Sequence, residues 1–208
     1  MESTSPITPA LLADALTYNQ FMVLSRERFR QHLTTSDDPH YNTDQILGFT
    51  KVNFSRMARL EKTTVLTADV LDALLQIREP WTWLILVESW CGDVAQILPV
   101  LKHMADRSGQ IDIRLLLRDQ NLTVMDAYKT NGGRAIPKLI CLRQSDLAEL
   151  GTWGPRPAAL QTEMNAWKSE NISFDVVIER AHNWYAKDRT QHTQAELALM
   201  IREWSATK

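Results

Sequence analysis

The sequence predicts an α/β fold in which a four-stranded mixed sheet lies between helical segments at both ends of the chain. Short continuous apolar runs in the middle of the chain are typical of strands that are covered on both faces. Helical patterns separate the first three runs, and the regions before and after them also have helical spacing. With 208 residues, 44% of them hydrophobic, the chain suits one large domain or one domain with extensions.

Residues 1–80 are predicted to form a helical N-terminal extension packed on the core. Apolar residues recur at steps of three, four and seven over residues 8–33, which predicts one amphipathic helix. A second helix is expected to start near Thr43. Thr67 is expected to cap a third helix, which Pro80 would end because proline cannot continue a helix.

Residues 81–157 form the predicted core, with elements in the order β-α-β-α-β-β. A short polar link joins the last two strands and predicts an antiparallel hairpin. Gly132-Gly133 is expected to end the second core helix in a left-handed C-cap. The predicted strands are 83–87, 111–117, 138–142 and 150–153, and the predicted helices between them are 94–105 and 122–128.

Residues 158–208 are predicted to be helical again, after the rigid stretch Gly154-Pro155-Arg156-Pro157. One helix is expected from 158 to about 168, and a second around Trp184. The last helix is expected to open with a capping box at Thr193-Gln194-Ala195-Glu196. We expect the three segments to form one structural unit.

Composition excludes several classes of function. The chain has 23 basic and 25 acidic residues, so it offers no basic surface for nucleic acid or an anionic membrane. No apolar stretch approaches a membrane span. The start, Met1-Glu2-Ser3-Thr4-Ser5-Pro6, has no basic region followed by an apolar run, so we expect no signal peptide and a cytoplasmic location. The two cysteines and five histidines lack the spacing of a disulfide framework or a metal site.

The segment Trp90-Cys91-Gly92-Asp93 lies where the first strand is expected to end and a helix to begin. Unpaired N–H groups and the helix dipole place positive charge at such a point, which stabilises a thiolate. Cys91 is therefore a candidate nucleophile; the alternative is a buried, inert cysteine. Cys141 lies within the third predicted strand, so we expect it to be a core thiol.

Ile136-Pro137 immediately precedes the third predicted strand. Proline has no N–H to donate to a sheet, so it belongs at a strand's first position. The bond before it is either a cis peptide bond, which occurs mainly before proline, or an ordinary trans bond in a turn.

Together these motifs resemble the thioredoxin superfamily, in which Trp-Cys-Gly-Xaa opens a helix and an Ile-Pro pair precedes a later strand. Pro99, eight residues after Cys91, matches the proline that kinks the first active-site helix of thioredoxins. The resemblance implies a thioredoxin-like core, with Cys91 as the nucleophile. It also implies that Trp90 and the Ile136-Pro137 loop face the substrate. We predict that Gly92, Asp93 and Arg134 bind the substrate with them.

The chain is similar to a bacterial branch of this superfamily that has a helical N-terminal region and a single-cysteine motif, Trp-Cys-Gly-Asp-Xaa-Ala-Gln. Here that motif is residues 90–96. Members of the branch also share three sequence segments that correspond to residues 132–140, 153–157 and 184–188 of this chain. The resemblance therefore covers most of the chain.

Two positions depart from a thioredoxin with two active-site thiols. Val94 stands where the second, resolving cysteine is expected, and Ile85 stands in place of the buried acid. The resemblance therefore implies that this chain lacks the means to resolve a mixed disulfide internally.

Charged neighbours are expected to set the reactivity of Cys91. A carboxylate at Asp93 raises the pKa of a nearby thiol, although Asp93 also suits the first turn of a helix. We hypothesise that Arg134, three residues before Pro137, pairs with Asp93 and cancels this effect; the alternative is a solvated surface arginine. Arg156 is expected to be part of a rigid connector and is a candidate partner of Asp188.

Two functions remain open at this point. One is monothiol redox chemistry at Cys91, acting on a protein disulfide or carrying a small thiol such as glutathione or bacillithiol, with no other cofactor. The other is a non-catalytic module that presents the 90–92 and 136–137 loops to a partner strand. A glutathione-binding transferase fits less well because the extra helices lie at both ends. Nucleic acid and membranes are not expected as partners, and either a monomer or a homodimer is compatible with the sequence.

Overall fold

The computed structural model describes residues 5–170 and 172–207, which form nine α-helices, two short 3-10 helices and four strands. The expectation drawn from Met1 to Thr4 lies outside this part of the chain. The strands are β1 (Trp81–Val87), β2 (Ile111–Leu117), β3 (Lys138–Arg143) and β4 (Glu149–Trp153), and the 3-10 helices are Pro39–Tyr41 and Arg118–Gln120. The α-helices are α1 (Pro9–Asp14), α2 (Tyr18–Arg30), α3 (Asp44–Thr63), α4 (Ala68–Leu74), α5 (Gly92–Ser108), α6 (Leu122–Ala127), α7 (Ala158–Ser169), α8 (Phe174–Asp188) and α9 (Gln191–Ala206).

The four strands form one mixed sheet in the order β2-β1-β3-β4, which confirms the predicted architecture. β1 pairs with β2 in parallel and with β3 antiparallel. β3 and β4 form the predicted antiparallel hairpin, with an irregularity between Cys141 and Leu142. All seven residues of β1 are buried, as the continuous apolar run predicts for a central strand.

Helices from both ends of the chain pack against the sheet and against each other. α3 packs on α5, α2 contacts β2, and α9 contacts both α4 and β4. The Trp204 ring of α9 meets the buried Trp81 ring edge-on and covers Gly151 of β4, where a Cβ atom would lie 2.0 Å from its Nε1. Across residues 5–170 and 172–207, no helix has the length and apolarity needed to cross a membrane.

The single helix predicted over residues 8–33 is wrong, because the chain leaves helical geometry between α1 and α2. Leu16 forms an isolated antiparallel bridge with Leu115, at N···O distances of 2.9 and 2.7 Å. The bridge covers part of the β2 edge, which would otherwise expose unpaired backbone groups. Thr17 then starts α2 with a capping box whose partner is Gln20.

Two predicted helix ends also differ from the structure. α9 begins at Gln191, and Thr193 lies inside the helix as a buried residue, so the capping box expected there is wrong. α6 ends at Ala127, several residues before the glycine pair. Gly132 instead has a left-handed φ of 77° in a turn where Thr130 and Gly133 bond to each other.

Candidate functional site

The candidate site lies where β1 passes into α5. Cys91 is the N-cap residue of α5, and its N–H donates to the Glu88 carbonyl at 3.2 Å. Its thiol donates to the carbonyl oxygen of Ile136 at 3.4 Å, and the Ile136–Pro137 peptide bond is cis. The fold therefore brings together the two motifs that the sequence singled out, which lie 45 residues apart.

The Cys91 thiol is almost completely enclosed, with 7% of the residue exposed. Burial, and then the charge of Asp93, raise its pKa to about 12. The backbone N–H groups of Val94 and Asp93 act in the opposite direction, as does the Arg156 guanidinium. The helix N-terminus therefore lowers the pKa of the thiol, as expected. Burial raises that pKa by more, so the thiol is neutral at physiological pH.

Asp93 holds the first turn of α5 in a buried ionic cluster. Its Oδ2 accepts from Arg156 Nη2 at 2.5 Å and Nε at 3.0 Å, and its Oδ1 accepts from the Tyr185 hydroxyl at 2.7 Å. Arg156 also donates to Gln161 Oε1 at 2.6 Å. Only 16% of the Arg156 side chain and 13% of the Asp93 side chain are exposed. The arginine that neutralises Asp93 is therefore Arg156.

The expected pair of Arg134 with Asp93 is wrong. Arg134 donates to both oxygens of Asp126, at 2.7 and 2.8 Å, and its side chain is 43% exposed. The expected pair of Arg156 with Asp188 is also wrong, since Asp188 accepts from His192.

The backbone after β4 explains why Arg156 reaches the site. Gly154 has φ of 113°, and a Cβ atom on it would lie 2.3 Å from the Pro137 carbonyl oxygen. The chain therefore runs directly against the 136–137 loop, which only glycine permits. The next bond, Gly154–Pro155, is also cis. Arg156 then follows beside the first turn of α5.

α8 also covers this turn of α5. A Cβ atom on Gly92 would lie 2.8 Å from His182 Cε1, so the imidazole ring lies directly against this glycine. Burial, and then the nearby Arg56 charge, lower the pKa of His182 to about 4, so the ring is neutral at pH 7. Tyr185, which reaches Asp93, lies one turn further along α8 and is buried.

Trp90 is half-buried beneath a residue from the N-terminal region. Its ring stacks on Tyr41 with centroids 4.3 Å apart and planes 8° from parallel. The Arg118 guanidinium lies 4.7 Å from the Trp90 centroid and 5.1 Å from that of Tyr41. Ile136 and Pro137 are buried, and Gly92 and Asp93 are partly buried. Arg134 alone among the predicted site residues is exposed.

A buried carboxyl at Glu88 adjoins this arrangement, and sequence reasoning missed it. The Glu88 carboxyl accepts from the Thr35 hydroxyl and from the Asp119 N–H, the latter at 3.0 Å. Burial raises its pKa to about 7. The available signal was a charged residue directly after the continuous apolar run 83–87, where the chain is still inside the protein.

No second thiol is placed to resolve a disulfide at Cys91. Cys141 lies in β3 opposite Trp83 of β1, is fully buried, and has a pKa raised by that burial. Val94 and Ile85 are buried apolar residues of the core. Within residues 5–170 and 172–207, no group of three or more His, Cys, Asp or Glu side chains is arranged to hold a metal ion.

Comparisons with known proteins agree with the fold. At the level of fold, the chain is similar to a protein of unknown function from Pseudomonas aeruginosa, with 15% identity and a TM-score of 0.52, over 89% of this chain and 97% of that one. It is also similar to an HIV epitope scaffold, with 17% identity and a TM-score of 0.52, over 89% and 98% of the two chains. A search of curated proteins found no match. A family model described as thioredoxin matches residues 41–168, which is more than half of the chain and includes the whole sheet. The chain therefore belongs to the thioredoxin family.

Proposed function

We propose that this protein is a thioredoxin-fold binding module whose resting state does not catalyse thiol–disulfide exchange. The observation that carries the proposal is the enclosure of Cys91, which leaves a neutral thiol bonded to the Ile136 carbonyl. The thiolate is the nucleophile in disulfide exchange. With a pKa of about 12, the thiolate fraction at pH 7 is only on the order of 1 in 100,000.

The lack of a resolving group supports the same conclusion. A mixed disulfide on Cys91 would need a second thiol to release it. Val94 occupies the position expected for that thiol, and Cys141 is enclosed within the sheet. A catalytic cycle within one chain is therefore not available.

The surface that we assign to binding is a cleft of about 310 Å³ beside the stacked Tyr41 and Trp90 rings. We call it the Tyr41 cleft. It is lined by Asp37, Asp38, Tyr41, Arg118, Asp119, Gln120, Leu122 and Arg134. Carboxylates, guanidinium groups and an aromatic ring in one cleft suit a protein segment that carries charges of both signs. Strand pairing at Ile136 is less suitable, because its side chain is buried and its carbonyl accepts from Cys91.

Alkylation of the native protein tests the non-catalytic part of the proposal. We expect iodoacetamide at pH 7.5 to modify Cys91 at least about 100-fold more slowly than free glutathione, because so little thiolate is present. Peptide mass mapping separates Cys91 from Cys141. We also expect no reduction of insulin disulfides beyond the rate with dithiothreitol alone. A Cys91 rate equal to that of a free thiol would refute the proposal.

Cross-linking in cell extract tests the binding part. A partner that uses the Tyr41 cleft should be captured equally by the wild-type protein and by Cys91→Ser, and lost with Tyr41→Ala. Arg202→Ala is the matched surface control, because Arg202 lies at the distant α4–α9 contact, where it pairs with Asp69. Capture that requires the Cys91 sulfur, or that survives Tyr41→Ala, would contradict this assignment.

Monothiol redox chemistry is the second candidate, and one feature of the site favours it. The backbone N–H groups of Asp93 and Val94 lower the pKa of the Cys91 thiol and would stabilise a thiolate there. In this case the Cys91 thiolate would attack a protein disulfide, or the disulfide form of a small thiol such as glutathione or bacillithiol, and form a mixed disulfide while the other sulfur leaves as a thiol. A second thiol from solution would then attack the mixed disulfide and release Cys91. The test is incubation with oxidised glutathione: a one-to-one adduct that maps to Cys91 would support this candidate, and an unmodified Cys91 would exclude it for glutathione.

A further inference from the structure

We propose that α8 is a displaceable cover over Cys91, and that Tyr185 and Arg156 are the positioning residues that hold it closed. Displacing α8 would turn an enclosed thiol into an accessible one. The inference rests on the proposed function only in that it takes the resting thiol to be inert. It gives the C-terminal helical extension a role in controlling Cys91.

Two contacts one turn apart place α8 along the first turn of α5. His182 lies against Gly92, and the Tyr185 hydroxyl donates to Asp93. Residues three apart share a face of a helix, so one face of α8 makes both contacts. Gly92 and Asp93 directly follow Cys91, so this face lies immediately beside the thiol.

Arg156 fixes the carboxylate to which the cover is attached. It bonds to Asp93 with two nitrogens, while Tyr185 bonds to the other oxygen of the same carboxylate. The three side chains come from three segments of the chain: α5, the connector after β4, and α8. Tyr185 is buried, and the side chains of Asp93 and Arg156 are mostly buried. Each bond therefore lies in a low-dielectric environment, where breaking it and leaving a polar group without a partner costs free energy.

Elsewhere α8 is loosely packed, which favours its displacement from the core. It buries three of its 15 residues, whereas α9 buries six of 16. Phe174 at its start is 69% exposed. A cavity of about 420 Å³ lies between α3 and α8 beside His182, and another of about 540 Å³ reaches Tyr185 from the far end of α8. Elements with few buried contacts open at a lower free energy than the core does.

The test is the alkylation rate of both cysteines in Tyr185→Phe, which keeps the ring and removes only the bond to Asp93. We expect Cys91 to react at least about 10-fold faster than in the wild-type protein, a change of roughly 1.4 kcal/mol in the opening equilibrium. Cys141 is an internal reference because it lies in the sheet, away from α8. Its rate should stay unchanged.

Tyr128→Phe is the matched control, because Tyr128 makes a similar bond of 2.7 Å to Glu149 outside the cover. It should alter neither rate. As a second measurement, the α8 amides should exchange with solvent faster in Tyr185→Phe, while the α9 amides keep their protection.

Three outcomes overturn the inference: no change at Cys91, equal acceleration of both cysteines (which indicates general loosening of the fold), or acceleration by the control. The failure of the proposed function looks different. In that case Cys91 of the wild-type protein would already react like a free thiol, before any substitution.

Discussion

At the residue scale, Asp93 is the group that links the chemistry of the thiol to the packing of the chain. Its carboxylate raises the pKa of Cys91, yet the same carboxylate ties Arg156 and Tyr185 to the first turn of α5. The Arg156 charge, in turn, opposes the effect of Asp93 on the thiol. The site is therefore a coupled cluster, in which the protonation of the sulfur and the attachment of two distant segments depend on the same atoms.

The first residue-scale prediction concerns Arg156. Arg156→Met leaves the Asp93 charge buried without its cation, so we expect a loss of about 3 kcal/mol in the free energy of unfolding. Arg134→Met is the control, since the pair of Arg134 with Asp126 lies at the surface, and we expect no measurable change in its denaturation midpoint. Urea unfolding of the two variants measures both values. Equal midpoints for the two variants would show that Arg156 does not neutralise Asp93.

The second concerns the pH dependence that Glu88 creates. Its pKa is about 7 in the folded protein against an ordinary value of 4.5, so between these values the folded protein binds a proton that the unfolded chain releases. The stabilising contribution is fully present below about pH 4.5 and is lost as the pH rises through 7. Glu88→Gln is neutral throughout and keeps both hydrogen-bonding positions. Its unfolding free energy relative to wild type should therefore rise from pH 4.5 to pH 8, by roughly 1.4 kcal/mol for each unit of the pKa shift.

Chemical denaturation at a series of pH values provides the measurement. His182 has the opposite pH trend, because burial lowers its pKa, but it is present in both proteins and its effect cancels in the difference. A difference that stays flat from pH 4.5 to pH 8 would mean that Glu88 is ionised in the folded state throughout.

At the element scale, the prediction of each segment succeeded where local pattern decides its structure and failed where a distant contact does. The bounds of β2 follow from its local pattern of apolar residues, which Asp112 and Arg114 interrupt, and the β3–β4 hairpin follows from the short polar link. The break between α1 and α2 depends on Leu16 pairing with Leu115, about a hundred residues away, which no local pattern contains. The unused capping box at Thr193 fails for a similar reason, because the chain reverses at residues 189 and 190, both with left-handed φ, and α9 starts earlier.

The junction between β4 and the 136–137 loop gives the element-scale prediction. Gly154→Ala would place a Cβ atom 2.3 Å from a backbone oxygen at a left-handed φ, so we expect a loss of about 3 kcal/mol or more in stability. Gly48→Ala is the matched substitution in α3, where nothing lies within 4 Å of the new atom. Alanine favours a helix interior, so that variant should be about 0.5–1 kcal/mol more stable than wild type. Thermal unfolding of both variants checks that the first substitution lowers the stability and the second raises it. A Gly154→Ala variant as stable as wild type would show that the chain after β4 and the 136–137 loop are not in close contact.

At the scale of the whole molecule, the site is completed by segments far apart in the chain. The motifs around Cys91 and Pro137 could be connected by resemblance, because the thioredoxin fold itself brings them together. His182, Tyr185 and Tyr41 could not, since helical periodicity shows which face of a helix is buried but not what that face meets. Arg156 was hidden for the same reason: a Gly-Pro-Arg-Pro stretch reads locally as a connector, and its partner lies 63 residues earlier.

The C-terminal helix α9 provides the prediction at this scale, because it joins three parts of the protein. Gln194, fully buried, accepts from the Thr67 N–H at 2.8 Å and donates to the Val65 carbonyl at 3.1 Å, which fixes the start of α4. The Glu196 carboxylate accepts from Trp153 Nε1 at 2.9 Å and from the first N–H of α7 at 2.7 Å. Its buried apolar face, Leu197, Ala198, Ile201 and Trp204, is part of the main core.

We therefore expect a chain that ends at Arg189 to lose cooperative unfolding, although the four strands and α5 remain in its sequence. Its exposed apolar surface on β4 and α4 would have no replacement for Trp204, and the N–H groups of Trp153 and Ala158 would lose their acceptor. A chain that ends at Ala206 is the control and should melt like the full-length protein. Circular dichroism on heating distinguishes the two: a sharp transition in the shorter chain would show that the thioredoxin core is stable without α9, and that the C-terminal extension is an added layer instead of part of one folding unit.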